Sequence, residues 1–252
     1  MRPIAAACLF LLLSGCKAAQ PSGDSYRAGL CPGASPAAMV FVVNGAGDSR
    51  SLSQNLSQVV AETRAPLEIQ THAWSRGSRR YITDQVDHDN HVAQGRELAV
   101  RVAADHREYP CRRVHLVGHS AGCAVVLAAA GQLPPNSIDR IILLSASVCA
   151  TYDLRPALKA TRVGIDGFHS DKDRWVLGFG VKIVGTTEEG CRTAAGRVGF
   201  TPVVESPADA ALYAKLRQHP WDPALTWSGN QGGHFGTYEQ EFLRAYVLPL
   251  LE

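Results

Sequence analysis

The sequence predicts an α/β protein with a mostly parallel sheet covered by helices on both faces, and three observations carry that prediction. Apolar runs of strand length, bounded by turn residues, recur at Met39 to Val43, Val114 to Gly118 and Arg140 to Ser147. Segments with apolar residues at helical spacing fall between them, and strands that alternate with helices pair in parallel through crossovers. The chain has 252 residues, 46% hydrophobic and 19% charged, which suffices for one large core and is too apolar for a disordered chain.

The elements follow in order. Met39 to Val43 is a buried strand ending at the turn Asn44-Gly45-Ala46-Gly47. Next, Leu52, Leu56, Val59 and Val60 fall at i, i+4, i+7 and i+8, one face of a helix. Leu67 to Trp74 has strand character; a polar loop follows, then a helix from about Asn90 to Arg107 with Val92, Leu98, Ala99, Val102 and Ala103 on its apolar side. Val114 to Gly118 is strand again, and Ala121 to Ala130 is an Ala-rich helix stopped by Gly131 and Pro134. Two more strands, Arg140 to Ser147 and Arg162 to His169, flank a helical Ala157 to Ala160. Residues 174–229 are the least regular: a helical Pro207 to Gln218 stands out, and the last strand is either Val198 to Val204 or Ala224 to Gly229. An amphipathic helix carrying Phe242, Leu243, Tyr246, Val247 and Leu250, with Pro249 near its end, closes the chain.

Ahead of this domain, residues 1–15 read as an export signal: Arg2, an apolar run from Ile4 to Leu13, then Ser14 and Gly15. Ten apolar residues rise only about 15 Å as a helix, half of a bilayer core. Leu13-Ser14-Gly15-Cys16 resembles the lipobox of bacterial lipoproteins. That resemblance implies lipidation of Cys16, cleavage before it and a membrane anchor, and Lys17 favours the outer membrane if the cell is Gram-negative. Lys17 to Ala37 is rich in Ala, Gly, Pro and Ser without apolar period, a flexible tether with a reach of about 25 to 30 Å. The domain then spans 38–252.

Charge excludes some functions. With 25 Lys and Arg against 23 Asp and Glu there is no basic field for nucleic acid, and the local cluster Arg76, Arg79 and Arg80 reads as a solvated loop. His88 and His91, in Asp87-His88-Asp89-Asn90-His91, match no metal-ligand spacing and lie where Asp and Asn cap a helix, so no metal is expected. Besides Cys8 and Cys16, the cysteines are Cys31, Cys111, Cys123, Cys149 and Cys191, an odd set that leaves a thiol free.

The chemistry gathers at strand ends. Gly118-His119-Ser120-Ala121-Gly122 fits G-x-S-x-G between a strand and a helix, where the serine projects from a strained turn and the glycines permit close approach. Free N–H groups at the helix start suit a developing oxyanion. A serine hydroxyl needs a base, and His234 lies in the glycine-rich Gly229 to Phe235, after the last strand. His119 adjoins the serine, but its side chain should diverge across the turn; His115 lies within a strand and His72 near the end of another, and each reads as packed or solvated rather than catalytic. A carboxylate must orient the base, and His169 to Val176 offers Asp171 and Asp173.

These motifs, with Val42-Val43-Asn44-Gly45-Ala46-Gly47, resemble the α/β-hydrolase superfamily on its esterase and lipase side, over Val40 to the C-terminus. The resemblance implies the order Ser120, Asp173, His234, with Asp173 preferred to Asp171 because Ser170 takes the glycine position of a Gly-x-x-Asp pattern. It implies oxyanion donors at the Ala46 and Ala121 N–H groups, although Asn44 stands where the family often has His, which leaves open which residue of that loop donates. It implies a sheet reduced to six strands, disulfides Cys31–Cys111 and Cys149–Cys191, and a buried free Cys123. No cofactor is needed.

The expected activity is membrane-tethered hydrolysis of a carboxylic ester, less readily an amide or thioester, on a small-molecule or lipid-like acyl substrate. Its rivals are an envelope acyltransferase with the same nucleophile and a non-catalytic surface lipoprotein. Trp175, Phe179, Trp221 and Trp227 are candidates for an acyl pocket. Oligomeric state is not legible.

Overall fold

The computed structural model describes residues 38–47, 50–173, 186–188 and 190–252. The signal segment, Cys16, the tether with Cys31, and Trp175 and Phe179 lie outside the described residues. Six strands form one sheet: β1 (Ala38–Val43), β2 (Leu67–Thr71), β3 (Val114–His119), β4 (Ile138–Leu144), β5 (Thr161–His169) and β6 (Leu216–Pro220), in the order β2-β1-β3-β4-β5-β6. Every pairing is parallel.

Alternation along each strand divides the core in two. Met39, Phe41 and Val43 of β1 face one layer with Leu116, Ile141 and Ile165, covered by α3 (His88–Glu108), α4 (Gly122–Ala130) and α5 (Arg155–Ala160). Val40 and Val42 face the other with Val117, Ile142 and Leu144, covered by Leu52, Leu56, Val59 and Val60 of α1 (Ser51–Thr63) and by the C-terminal helix. Strands apolar on both sides need helices on both sides, which is why they read as unbroken apolar runs.

Chain order reverses between β1 and β3: β1 continues to β2 on one side, and α3 returns the chain to β3 on the other. Loops leaving β1 and β3 at their carboxyl ends therefore diverge around a crevice, the usual ligand position in such sheets.

Three expectations need correction. The closing strand is neither Val198 to Val204 nor Ala224 to Gly229; it is β6, Leu-Arg-Gln-His-Pro, paired with β5 from Ile165–Leu216 to His169–Pro220. As an edge strand it is only partly covered, so it carries no apolar run, and its first residues read as a continuation of α7 (Pro207–Tyr213). Val198 instead ends a short helix, α6 (Ala195–Val198), and Pro223–Ser228 forms a 3-10 turn. The polar loop after β2 contains a helix, α2 (Tyr81–Val86). The closing helix is also interrupted: Leu243–Val247 is a π-turn, just before Pro249, which has no N–H to continue an α ladder.

Cys149 and Cys191 are bonded, with Cα atoms 5.9 Å apart. Cys111 is disulfide-bonded as well, while Cys123 is buried and free. Burial raises the Cys123 thiol far above its ordinary range, so it is inert.

Candidate active site

Ser120 follows β3 with φ +54°, a left-handed conformation rare outside glycine. The surroundings over-determine it. Its N–H donates to the Leu144 carbonyl at 3.0 Å, and its own carbonyl accepts from Cys123 at 3.1 Å and Ser147 at 3.2 Å. The flanking glycines let three elements meet. A Cβ on Gly122 would overlap the Val43 and Asn44 carbonyl oxygens, and one on Gly118 would press on Cys123 and Val126 of α4.

His234 arrives from a loop held by Asn230, whose buried side-chain oxygen accepts the Gly232 N–H at 2.9 Å while its carbonyl accepts the Trp221 indole N–H at 2.9 Å. Asp173 arrives from a turn after β5, where its N–H donates to the Ser170 carbonyl at 3.1 Å and the Ser170 hydroxyl accepts the Lys172 N–H at 3.2 Å. The Lys172 ammonium rests 3.8 Å from the centre of the Trp221 ring. Trp221 therefore joins the turn bearing Asp173 to the loop bearing His234. Trp227 is exposed, 6.2 Å from the Tyr246 ring.

The three side chains form one line. His234 Nε2 lies 2.9 Å from Ser120 Oγ, and His234 Nδ1 lies 2.6 Å from Asp173 Oδ2. All three residues are buried. A carboxylate accepts only, so Nδ1 carries the proton and Nε2 is left to accept from the serine hydroxyl. Asp171 is exposed on the same turn, outside this line.

His119 departs from expectation. Its ring does not diverge from the site; it packs 4.9 Å from the His234 ring and 5.0 Å from that of Tyr238, and its Nε2 meets the His234 carbonyl at 3.1 Å. Burial and the neighbouring His234 push its pKa down to about 3, so it is neutral and donates Nε2–H to that carbonyl. The residue between Gly118 and Ser120 thus supports the backbone of the residue paired with Ser120.

Ala121 caps α4 and its N–H precedes the intrahelical ladder. Opposite, the Asn44 to Gly47 turn comes close enough that a Cβ on Gly45 would lie 2.9 Å from His119 Nδ1 and 3.4 Å from Ser120 Cβ. Asn44, the departure from the family's His, is buried and tied to α1: its side chain donates to Ser53 Oγ and accepts the Ser53 N–H, each at 3.0 Å.

The family profile described as the alpha/beta hydrolase family matches residues 39–247. The chain belongs to the α/β-hydrolase family. This α/β hydrolase is 28% identical over 131 residues to a monoglyceride lipase of Rattus norvegicus, covering 51% of this chain and 41% of that protein, so it spans about two fifths of that relative's length. Among solved structures it resembles an uncharacterized protein from Bacillus cereus, with a TM-score of 0.51 at 11% identity over 88% of this chain and 61% of that one. It also resembles a predicted CIB-like hydrolase from Thermoplasma acidophilum, with a TM-score of 0.49 at 14% identity over 86% and 87%. At such identities the structural likeness speaks to fold alone. Among the described residues, no His, Cys, Asp and Glu group of three or more could hold a metal, and no helix is long and apolar enough to cross a membrane.

Proposed function

We propose that this α/β hydrolase is an exported, lipid-anchored serine hydrolase that cleaves a carboxylic ester through an acyl-enzyme on Ser120. The observation that carries the reading is the continuous line from Ser120 Oγ to His234 to Asp173, at 2.9 and 2.6 Å. Ser120 Oγ attacks the acyl carbonyl as its proton passes to His234 Nε2, and Asp173 stabilises the imidazolium that results. Negative charge gathers on the carbonyl oxygen, between the Ala46 and Ala121 N–H groups. In a buried site such fixed donors act with little screening and need no reorganisation. His234 then returns its proton to the departing alcohol, and water repeats the sequence to free the acid. Esterase or lipase character is supported by the match to a monoglyceride lipase.

The substrate is a small-molecule or lipid-like ester. The lipobox-like Leu13-Ser14-Gly15-Cys16 supports an anchor through acylated Cys16, and the tether holds the domain within a few tens of Å of that surface.

A fluorophosphonate probe tests the reading. Wild type labels, and Ser120→Ala and His234→Ala do not; an unlabelled wild type, or equal labelling of Ser120→Ala, removes the serine-hydrolase mechanism. Palmitate incorporation lost in Cys16→Ser tests the anchor, and p-nitrophenyl esters of graded chain length measure the acyl preference.

A further inference from the structure

The Asn44 to Gly47 turn is bound at both ends. At one end the Trp74 indole N–H donates to the Asn44 carbonyl at 2.8 Å, beside the bonds from Asn44 to Ser53. At the other, the Gly47 N–H donates to Asp84 Oδ2 at 2.8 Å. Asp84 lies on α2 and is completely buried. The same oxygen accepts the Ser75 hydroxyl at 2.6 Å, and Oδ1 accepts the Arg76 N–H at 3.1 Å. Its backbone is fixed too, because His91 Nε2 meets the Asp84 carbonyl at 2.6 Å, the His91 ring lying against Trp74 at 5.3 Å.

Burying a carboxylate is costly unless donors surround it. A polar side chain placed here only to close a loop needs no charge. A carboxylate with three donors aimed at it holds both chain segments in one geometry, and one of those segments faces Ser120.

Resting on the serine-hydrolase reading, we propose that Asp84 is the positioning residue of the oxyanion loop. By taking the Gly47 N–H, Asp84 withdraws that donor from the reacting carbonyl. Its carboxylate and the Trp74 indole then fix the two ends of the turn, which sets the Ala46 N–H against Ser120. This bond takes Gly47 out of the donors that Asn44 left open, and in this proposal Ala46 donates. The polar stretch after β2 serves the oxyanion site through one buried residue.

The test compares wild type with Asp84→Ala, Asp84→Asn and Ser75→Ala in hydrolysis of a p-nitrophenyl ester and in inhibition by a phenylboronic acid, which forms a tetrahedral adduct on a catalytic serine. Misplacing an oxyanion donor weakens only the tetrahedral state. Asp84→Ala should lower kcat by about 10- to 100-fold with KM within about twofold, and raise the boronate Ki by the factor that kcat loses. Asp84→Asn, which keeps one acceptor oxygen, should fall between. Unchanged kcat and Ki alongside a lowered Tm make Asp84 a structural residue only and overturn the proposal, as does a rise in KM and Ki together. A faster Asp84→Asn overturns it too, since the buried charge would then be opposing the oxyanion. If Asp84→Ala does not fold, Asp84→Asn and Ser75→Ala make the same comparison. A wild type that fails to label with fluorophosphonate strikes instead at the serine-hydrolase reading.

Discussion

Two aspartates two residues apart on one turn separate cleanly in this structure. Asp173 is buried with Oδ2 against His234 Nδ1 at 2.6 Å, whereas Asp171 is exposed. Asp173→Asn keeps the shape but offers His234 a mixed donor and acceptor, which no longer enforces the tautomer that leaves Nε2 free for Ser120. We expect kcat on a p-nitrophenyl ester to fall by about 10³- to 10⁴-fold, with Asp171→Asn at wild-type rate. Equal losses in both variants would sink the assignment. At this scale the sequence was legible where chemistry restricts residue type: a serine between glycines, a late histidine, an acid between them. It was less legible for His119. Adjacency along a turn says nothing about where a ring comes to rest, and packing against His234 and Tyr238 arises from chain separated by more than a hundred residues.

Elements were legible in proportion to their burial. β1 and β3, covered on both faces, announced themselves as apolar runs, and α1 did so through four buried positions at helical spacing. β6 and α2 did not. β6 is a partly exposed edge whose Arg217 reaches Asp166 at 2.8 Å, so its place is fixed by an ion pair and a ladder rather than by apolar alternation. α2 exposes Tyr81, Ile82 and Val86 and buries Asp84, the reverse of an amphipathic pattern. Where α3 crosses α4, packing also reverses a propensity rule. Replacing glycine by alanine inside a helix ordinarily gains about 1 kcal/mol. At Gly95 the new methyl would lie 2.6 Å from Ala128 Cβ and 2.9 Å from the Ala129 nitrogen. Overpacking of that kind costs about 1 to 3 kcal/mol, so Gly95→Ala should lower the urea midpoint. A raised midpoint would mean that the two helices separate without loss.

Across the whole molecule, the six parallel strands bring Ser120 and the Asn44 to Gly47 turn together where chain order reverses, and this same burial gives the fold a dependence on pH. His115 lies inside β3, and burial, with Arg113 and Arg140 nearby, lowers its pKa to about 4 despite the opposing Asp139. His119 is lowered to about 3, and His72, His91 and His169 are lowered as well, each chiefly by burial. In the unfolded chain these groups titrate near 6.5. Between 6.5 and about 4 the unfolded state therefore binds more protons than the native state, and stability rises with pH. Their contribution is complete above 6.5 and drains away as pH falls, by up to about 1.4 kcal/mol per pH unit for each group. Glu188, raised by burial, opposes this trend with one group. Carboxylates lowered in the native state, such as Asp166 among Arg140, Arg217 and His219, act below about 4 and so outside the window. Urea titrations at pH 7.5, 6 and 5 should show a falling midpoint, and His115→Leu, which removes one titrating group and leaves an apolar side chain at a buried position of β3, should show a shallower fall. A midpoint that stays level down to pH 5 would mean that the native and unfolded states bind equal numbers of protons in this window, and would overturn the summed effect of these buried histidines.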